Sequence, residues 1–192
     1  TQDGALTIGK REVTLTSANL EKEYDGTPLT NGETPLATEE GWVNGEGATY
    51  TFTGSQTIAG SSNNSFTYEL NEGTKEANYT ITKTEGMLTV TDRDTKYEIT
   101  VVAKSGTETY DGTEHEVSGF ETLTFVVDGN TYKVEGLTAG ASGTDAGEYP
   151  AVVTGDAVVK DAADNDVTKQ FSVTTQDGAL TIGKREVTLT SA

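Results

Sequence analysis

The chain has 192 residues, with 13 Lys+Arg against 31 Asp+Glu, a formal net charge of −18. So acidic a chain disfavours nucleic acid as a partner, because phosphate contacts need a basic face. With no cysteine and one histidine, disulfides, thiol nucleophiles, thiolate metal sites and His-rich zinc or iron centres all fall away.

Read in chain order, the pattern is strand throughout. Threonine, β-branched and aromatic residues dominate, and apolar residues alternate with polar ones at period 2. Val13-Thr14-Leu15-Thr16 puts Val13 and Leu15 on one face and threonines on the other. The alternation returns at Tyr50-Thr51-Phe52-Thr53, Phe66 to Leu70, Tyr79-Thr80-Ile81-Thr82, Leu88 to Thr91, Tyr97 to Val101, Tyr132-Lys133-Val134 and Phe171 to Thr174. Gly, Asn, Asp and Pro clusters punctuate these runs. Asp128-Gly129-Asn130, between Phe125-Val126-Val127 and Thr131-Tyr132, predicts a tight hairpin. No stretch carries a helical stripe, and no apolar run approaches the ~20 residues that span a bilayer, so membrane insertion is not expected. The opening residues have neither the basic nor the apolar region of a signal peptide, which is uninformative for a piece of a longer chain.

The two ends are the same peptide. Residues 1–18 and 175–192 both read TQDGALTIGKREVTLTSA, a match of 18 of 18 at an offset of 175 − 1 = 174. The expectation is one full period of a tandem array plus the first residues of the next period. Inside the period lies a weaker repeat. Tyr24-Asp25-Gly26-Thr27 returns as Tyr110-Asp111-Gly112-Thr113 (offset 86), Ala59-Gly60 as Ala146-Gly147 (87), and Gly86-Met87-Leu88-Thr89-Val90 as Gly178-Ala179-Leu180-Thr181-Ile182 (92). The period therefore holds two diverged copies of one domain, with an insertion in the second. The expected boundaries are 1–9, the last strand of a preceding repeat; 10–91, domain A; 92–183, domain B; and 184–192, the first strand of the next repeat. The fold class expected is all-β, two tandem immunoglobulin-like β-sandwiches end to end, with about seven strands each.

These motifs resemble the MBG/YDG-type immunoglobulin-like repeats of large bacterial surface adhesins. The likeness rests on the two Tyr-Asp-Gly-Thr turns, on Ser142 to Tyr149 leading into Ala151-Val152-Val153-Thr154, and on Asp166 to Val173 closed by Gly178 to Ile182. The resemblance implies a stalk or spacer module of a cell-surface adhesin, extracellular and anchored to a bacterial surface or cell wall, with no catalytic residues and no cofactor. The partners it implies are adjacent repeats of the same protein; the duplicated ends, for their part, are expected to be satisfied by neighbouring chains stacked head to tail or by packing on the terminal domains. The alternative is a glycan- or host-protein-binding module acting through the avidity of its repeats.

The candidate sites are few. Tyr24, Asp25 and Gly26, and their counterparts Tyr110, Asp111 and Gly112, are read as structural turns: the glycine accepts positive φ, the Asp carboxylate caps the turn and the Tyr packs beneath. Asp161, Asp164 and Asp166 gather carboxylates in a way that could suit calcium, but they lack the glycine and terminal Glu of an EF-hand loop, and a hairpin turn is the plainer reading. Trp42 is the best candidate for stacking on a sugar, weighed against a place in the core. His115 is expected to be solvated, and no acid, base and nucleophile converge in sequence, so an enzyme is not expected.

Overall fold

A computed structural model of the chain describes residues 4–190; the terminal calls at 1–3 and 191–192 lie outside the described residues. The protein is all-β, with two short 3-10 turns and no α-helix among the described residues. It divides into two compact units between Asp92 and Arg93.

Unit 1 holds β1 (Arg11–Thr16), β2 (Leu20–Glu23), β3 (Leu29–Thr30), β4 (Thr38–Glu40), β5 (Ala48–Phe52), β6 (Ser55–Gln56), β7 (Gly60–Asn63), β8 (Phe66–Leu70), β9 (Tyr79–Thr84) and β10 (Met87–Thr91). Unit 2 holds β11 (Tyr97–Val102), β12 (Gly106–Thr109), β13 (His115–Ser118), β14 (Thr124–Val127), β15 (Asn130–Thr138), β16 (Gly140–Gly143), β17 (Gly147–Ala151), β18 (Thr154–Lys160), β19 (Phe171–Gln176) and β20 (Gly178–Gly183).

The two units use one pairing scheme. In unit 1, β1 runs parallel to β9 and β2 parallel to β10; β7 is antiparallel to β10 and β3 to β6. In unit 2 the same four roles fall to β11–β19, β12–β20, β17–β20 and β13–β16. The register carries over residue for residue. Arg11 pairs Tyr79 and Tyr97 pairs Phe171, so the offsets are 97 − 11 = 86 and 171 − 79 = 92. Leu88 pairs Ser62 and Leu180 pairs Tyr149, giving 180 − 88 = 92 and 149 − 62 = 87. These are the offsets of the weak sequence repeat. The step from 87 to 92 places the insertion after β17, in the stretch that forms β18 and the acidic turn behind it. The pairings differ elsewhere: β4 joins β1, whereas β14 forms a hairpin with β15, whose two-residue turn Asp128-Gly129 has φ of 48° and 80°.

Each unit has ten β segments rather than the expected seven, because long strands are broken where they cross. The β1–β2 line breaks at Ser17–Asn19, opposite the β9–β10 break at Glu85–Gly86, and both lines change sheet there. A Cβ on Gly86 would lie 2.5 Å from the Ser17 and Ala18 carbonyl oxygens; on Gly178, the equivalent residue, it would lie 2.2 Å from that of Lys104. Glycine is therefore the residue that lets the backbones touch. A buried polar group pins the crossing in unit 1. Ser17 Oγ donates to the Asn64 carbonyl at 2.6 Å and accepts from Gly86 N–H at 2.8 Å, while Asn64 Nδ2 donates to the Ala18 carbonyl at 2.9 Å and Asn31 Oδ1 at 2.7 Å.

The core of unit 1 is built on Val13, Leu15, Phe66 and Tyr79, with Trp42, Tyr50 and Phe52 packed against them. In unit 2, Tyr132 meets Phe171 edge-on at 4.7 Å between ring centroids, amid buried Val101, Val134, Val159 and Leu180.

The duplicated ends differ in structure from their internal copies. Neither 4–9 nor 184–190 is a strand. Leu180 and Ile182 in β20 are 1% and 2% exposed, yet their copies Leu6 and Ile8 are 89% and 86% exposed. Val13 and Leu15 in β1 are 1% and 0% exposed, and their copies Val187 and Leu189 are 77% and 92% exposed. The peptide is the same; what differs is a neighbouring ladder to satisfy its backbone groups and a core to receive its side chains. Accordingly, Leu15→Ala should destabilise unit 1 by about 2–5 kcal/mol, whereas Leu189→Ala should stay within about 0.5 kcal/mol of the parent. Urea unfolding, followed by Trp42 fluorescence for unit 1 and by circular dichroism for the whole chain, measures both.

Candidate functional site

The two Tyr-Asp-Gly-Thr motifs fold alike. Each follows directly on the second strand of its unit, and its Tyr N–H donates to the end of the last strand: Tyr24 to the Thr91 carbonyl at 3.0 Å, Tyr110 to that of Gly183 at 2.8 Å. Asp25 Oδ1 accepts from Thr27 N–H at 2.8 Å and Thr27 Oγ1 at 2.7 Å; Asp111 Oδ1 does the same with Thr113 at 2.9 and 2.7 Å. Gly26 and Gly112 take the positive φ, 78° and 84°. Each carboxylate also meets a basic side chain. In unit 1 it is Lys22, at 2.6 Å; in unit 2 it is His115, whose Nε2 lies 3.1 Å from Asp111 Oδ1. His115 is thus half-buried in the turn rather than solvated. The tyrosines part company: Tyr24 is buried, while Tyr110 is exposed and lines a surface hollow with Ala146, Lys184 and Arg185. The tyrosine ring is thus buried in unit 1 and exposed in unit 2.

The electrostatics follow the donors. Burial pushes the Asp25 carboxyl upward, but hydrogen bonds from Lys22 and Thr27 and the ammonium charge outweigh it, and its pKa sits below the usual value. Hydrogen bonds from the Thr113 side chain and backbone, helped by His115, bring Asp111 down to about 2. Both carboxylates are therefore ionised turn caps at neutral pH.

Two carboxylates of the acidic turn, those of Asp161 and Asp166, accept from the turn's own backbone. Asp161 Oδ1 accepts from the N–H groups of Ala163 and Asn165, both at 2.9 Å, and Oδ2 accepts from Asn165 Nδ2 at 2.9 Å. Asp166 Oδ1 caps Thr168, accepting from its N–H at 3.0 Å and Oγ1 at 2.6 Å. Asp164 takes φ of 65°, and its carbonyl accepts from Lys160 Nζ at 3.1 Å. The three aspartates thus serve three different sets of donors. Among the described residues, no three His, Cys, Asp or Glu side chains are grouped to hold a metal ion.

Trp42 belongs to the core cluster of unit 1. Its ring meets Tyr79 edge-on at 4.9 Å, and Nε1 donates to Tyr50 Oη at 3.4 Å; Tyr50 in turn donates to Glu39 at 2.7 Å. Tyr79 donates to Glu46, and that carboxylate, with burial, raises the Tyr79 pKa above its ordinary value. The buried Ser17, Asn31 and Asn64 group was missed in sequence, since in a Thr-rich chain such residues read as turn formers; Asn64, next to a strand and far in sequence from its partners, gives no local signal.

No protein-family model, no curated protein and no solved structure matches the chain.

Two outcomes test these assignments. Trp42→Ala should cost unit 1 about 3 kcal/mol in urea unfolding, as loss of a core aromatic does. Asp111 has a folded pKa below its unfolded value of about 3.9, so its contribution to stability is present above that pH and is lost as pH falls toward 2. Asp111→Asn keeps the turn acceptor but not the charge, so the gap in melting temperature between parent and variant should be present at pH 5 and close by pH 2.

Proposed function

We propose that the chain is a structural repeat of a bacterial cell-surface adhesin stalk, made of two tandem immunoglobulin-like β-sandwich domains that space a distal binding region from the surface. The reading is extracellular and non-enzymatic. One observation carries it: the same 18-residue block supplies the closing strand of unit 2 and the opening strand of unit 1. In a tandem array, one block would do both jobs at every junction, with a single lysine between the two strands. The period of 174 residues would then be one unit 1 plus one unit 2.

The composition supports this reading. A charge of −18 per chain makes repeats repel one another at low salt, which favours extension and opposes clumping. A cysteine-free repeat keeps its fold whatever the redox state outside the cell. Side chains that could advertise a ligand, Trp42 above all, are engaged in packing instead.

Tandem proteins of one, two and four periods, compared by small-angle X-ray scattering, test the proposal. The maximum dimension should grow linearly, by roughly 60–80 Å per period, for units of roughly 30–40 Å set by strands of about ten residues. Growth with the cube root of mass, as for a compact body, would end it.

A further inference from the structure

The duplicated block creates an ambiguity that the fold must resolve. The position of β1, between β4 and β9, accepts the sequence of Arg11–Thr16. Residues 185–190 are that same sequence, without a ladder of their own and with Val187 and Leu189 exposed. They follow directly on β20, one lysine beyond Gly183. We propose that residues 185–190 of one copy of this chain take the β1 position in a second copy, joining the two head to tail by strand exchange.

The chemistry of the fit needs nothing new. The incoming strand offers Val187 and Leu189 to the core site now filled by Val13 and Leu15, and Thr188 takes the register position of Thr14, opposite Glu40 and Thr82. No contact is lost or gained in kind, because donor and resident are one peptide. The resident strand holds its place only because it is tethered, which gives it an effective concentration in the millimolar range for a short connection. Exchange is therefore a high-concentration event for the unaltered chain, and it becomes one-sided once the resident strand is disabled. The contact is heterologous, so it generates an open series unless its rotation closes it into a ring. The reciprocal donation, 4–9 into the β20 position, yields the same junction. The inference rests on the duplicated strands and stands apart from the stalk reading.

Two experiments on the full chain test it. In the first, Val13→Asp with Leu15→Asp disables the resident strand. Sedimentation velocity should then show a concentration-dependent series, and Trp42 emission, which reports the core beside β1, should return to its native wavelength as that series forms. Adding Val187→Asp and Leu189→Asp should abolish both effects. Monomers at every concentration, or a series that survives the added substitutions, would overturn the proposal. In the second, the cysteine-free background allows a trap in the native fold: chains carrying Thr188→Cys are mixed with chains carrying Glu40→Cys at millimolar concentration under mild oxidation. A disulfide-linked heterodimer that disappears when the donor also carries Val187→Asp and Leu189→Asp is the expected result. No heterodimer, or one indifferent to those changes, would refute strand exchange.

Discussion

Each unit is closed by the parallel pairing of its opening strands with its closing strands. β1 and β2 lie along β9 and β10, and β11 and β12 along β19 and β20, with the closing line of each unit stepping from one sheet to another at a glycine, Gly86 or Gly178. At that step the backbones come too near for any side chain. Two hydrogen bonds beside it recur in both units: Ser17 N–H to the Thr84 carbonyl matches Ala103 N–H to that of Gln176, and Met87 N–H to Asn19 matches Ala179 N–H to Ser105. Because the ladder fixes position on both sides of the crossing, a shift of one residue would turn every inward side chain outward. That is why the offsets of 86 and 92 survive while the segments around β4 and β14 have drifted into different pairings.

The chain also separates what a strand sequence supplies from what its surroundings supply. The same alternating residues form a buried strand in one place and an exposed, unpaired segment in another. β-branched residues fit a pleated and half-covered surface, but that fit counts only when a ladder and a core are at hand. Half of each duplicated block is used, and it is the opposite half at each end.

This divides what could be read beforehand from what could not. Period-2 alternation located the main strands, and Asp128-Gly129 announced its hairpin, because these signals are local. The order of the weak repeat foreshadowed the shared register of the two units. The breaks within long strands were not visible: Gly86 and Gly178 stood out only as matching positions of the weak repeat, and their role depends on carbonyls some 70 residues away in sequence. The partnership of His115 with Asp111 was hidden because only the turn brings them together. The same holds for Tyr24 and Tyr110, identical in motif and different in burial.

Parallel closure has a consequence for how either unit bears load. The opening line of a unit, β1–β2 or β11–β12, and its neighbour, the closing line β9–β10 or β19–β20, run in the same direction, so the chain enters at one end of the ladder and leaves at the other. Tension applied through the backbone on both sides of a unit would slide these strands along each other. The rungs of each closure, six between β1 and β9 with four between β2 and β10, and six between β11 and β19 with four between β12 and β20, would then be strained together in shear instead of peeling open one at a time. The fold thus sets its strongest resistance along the line of pull.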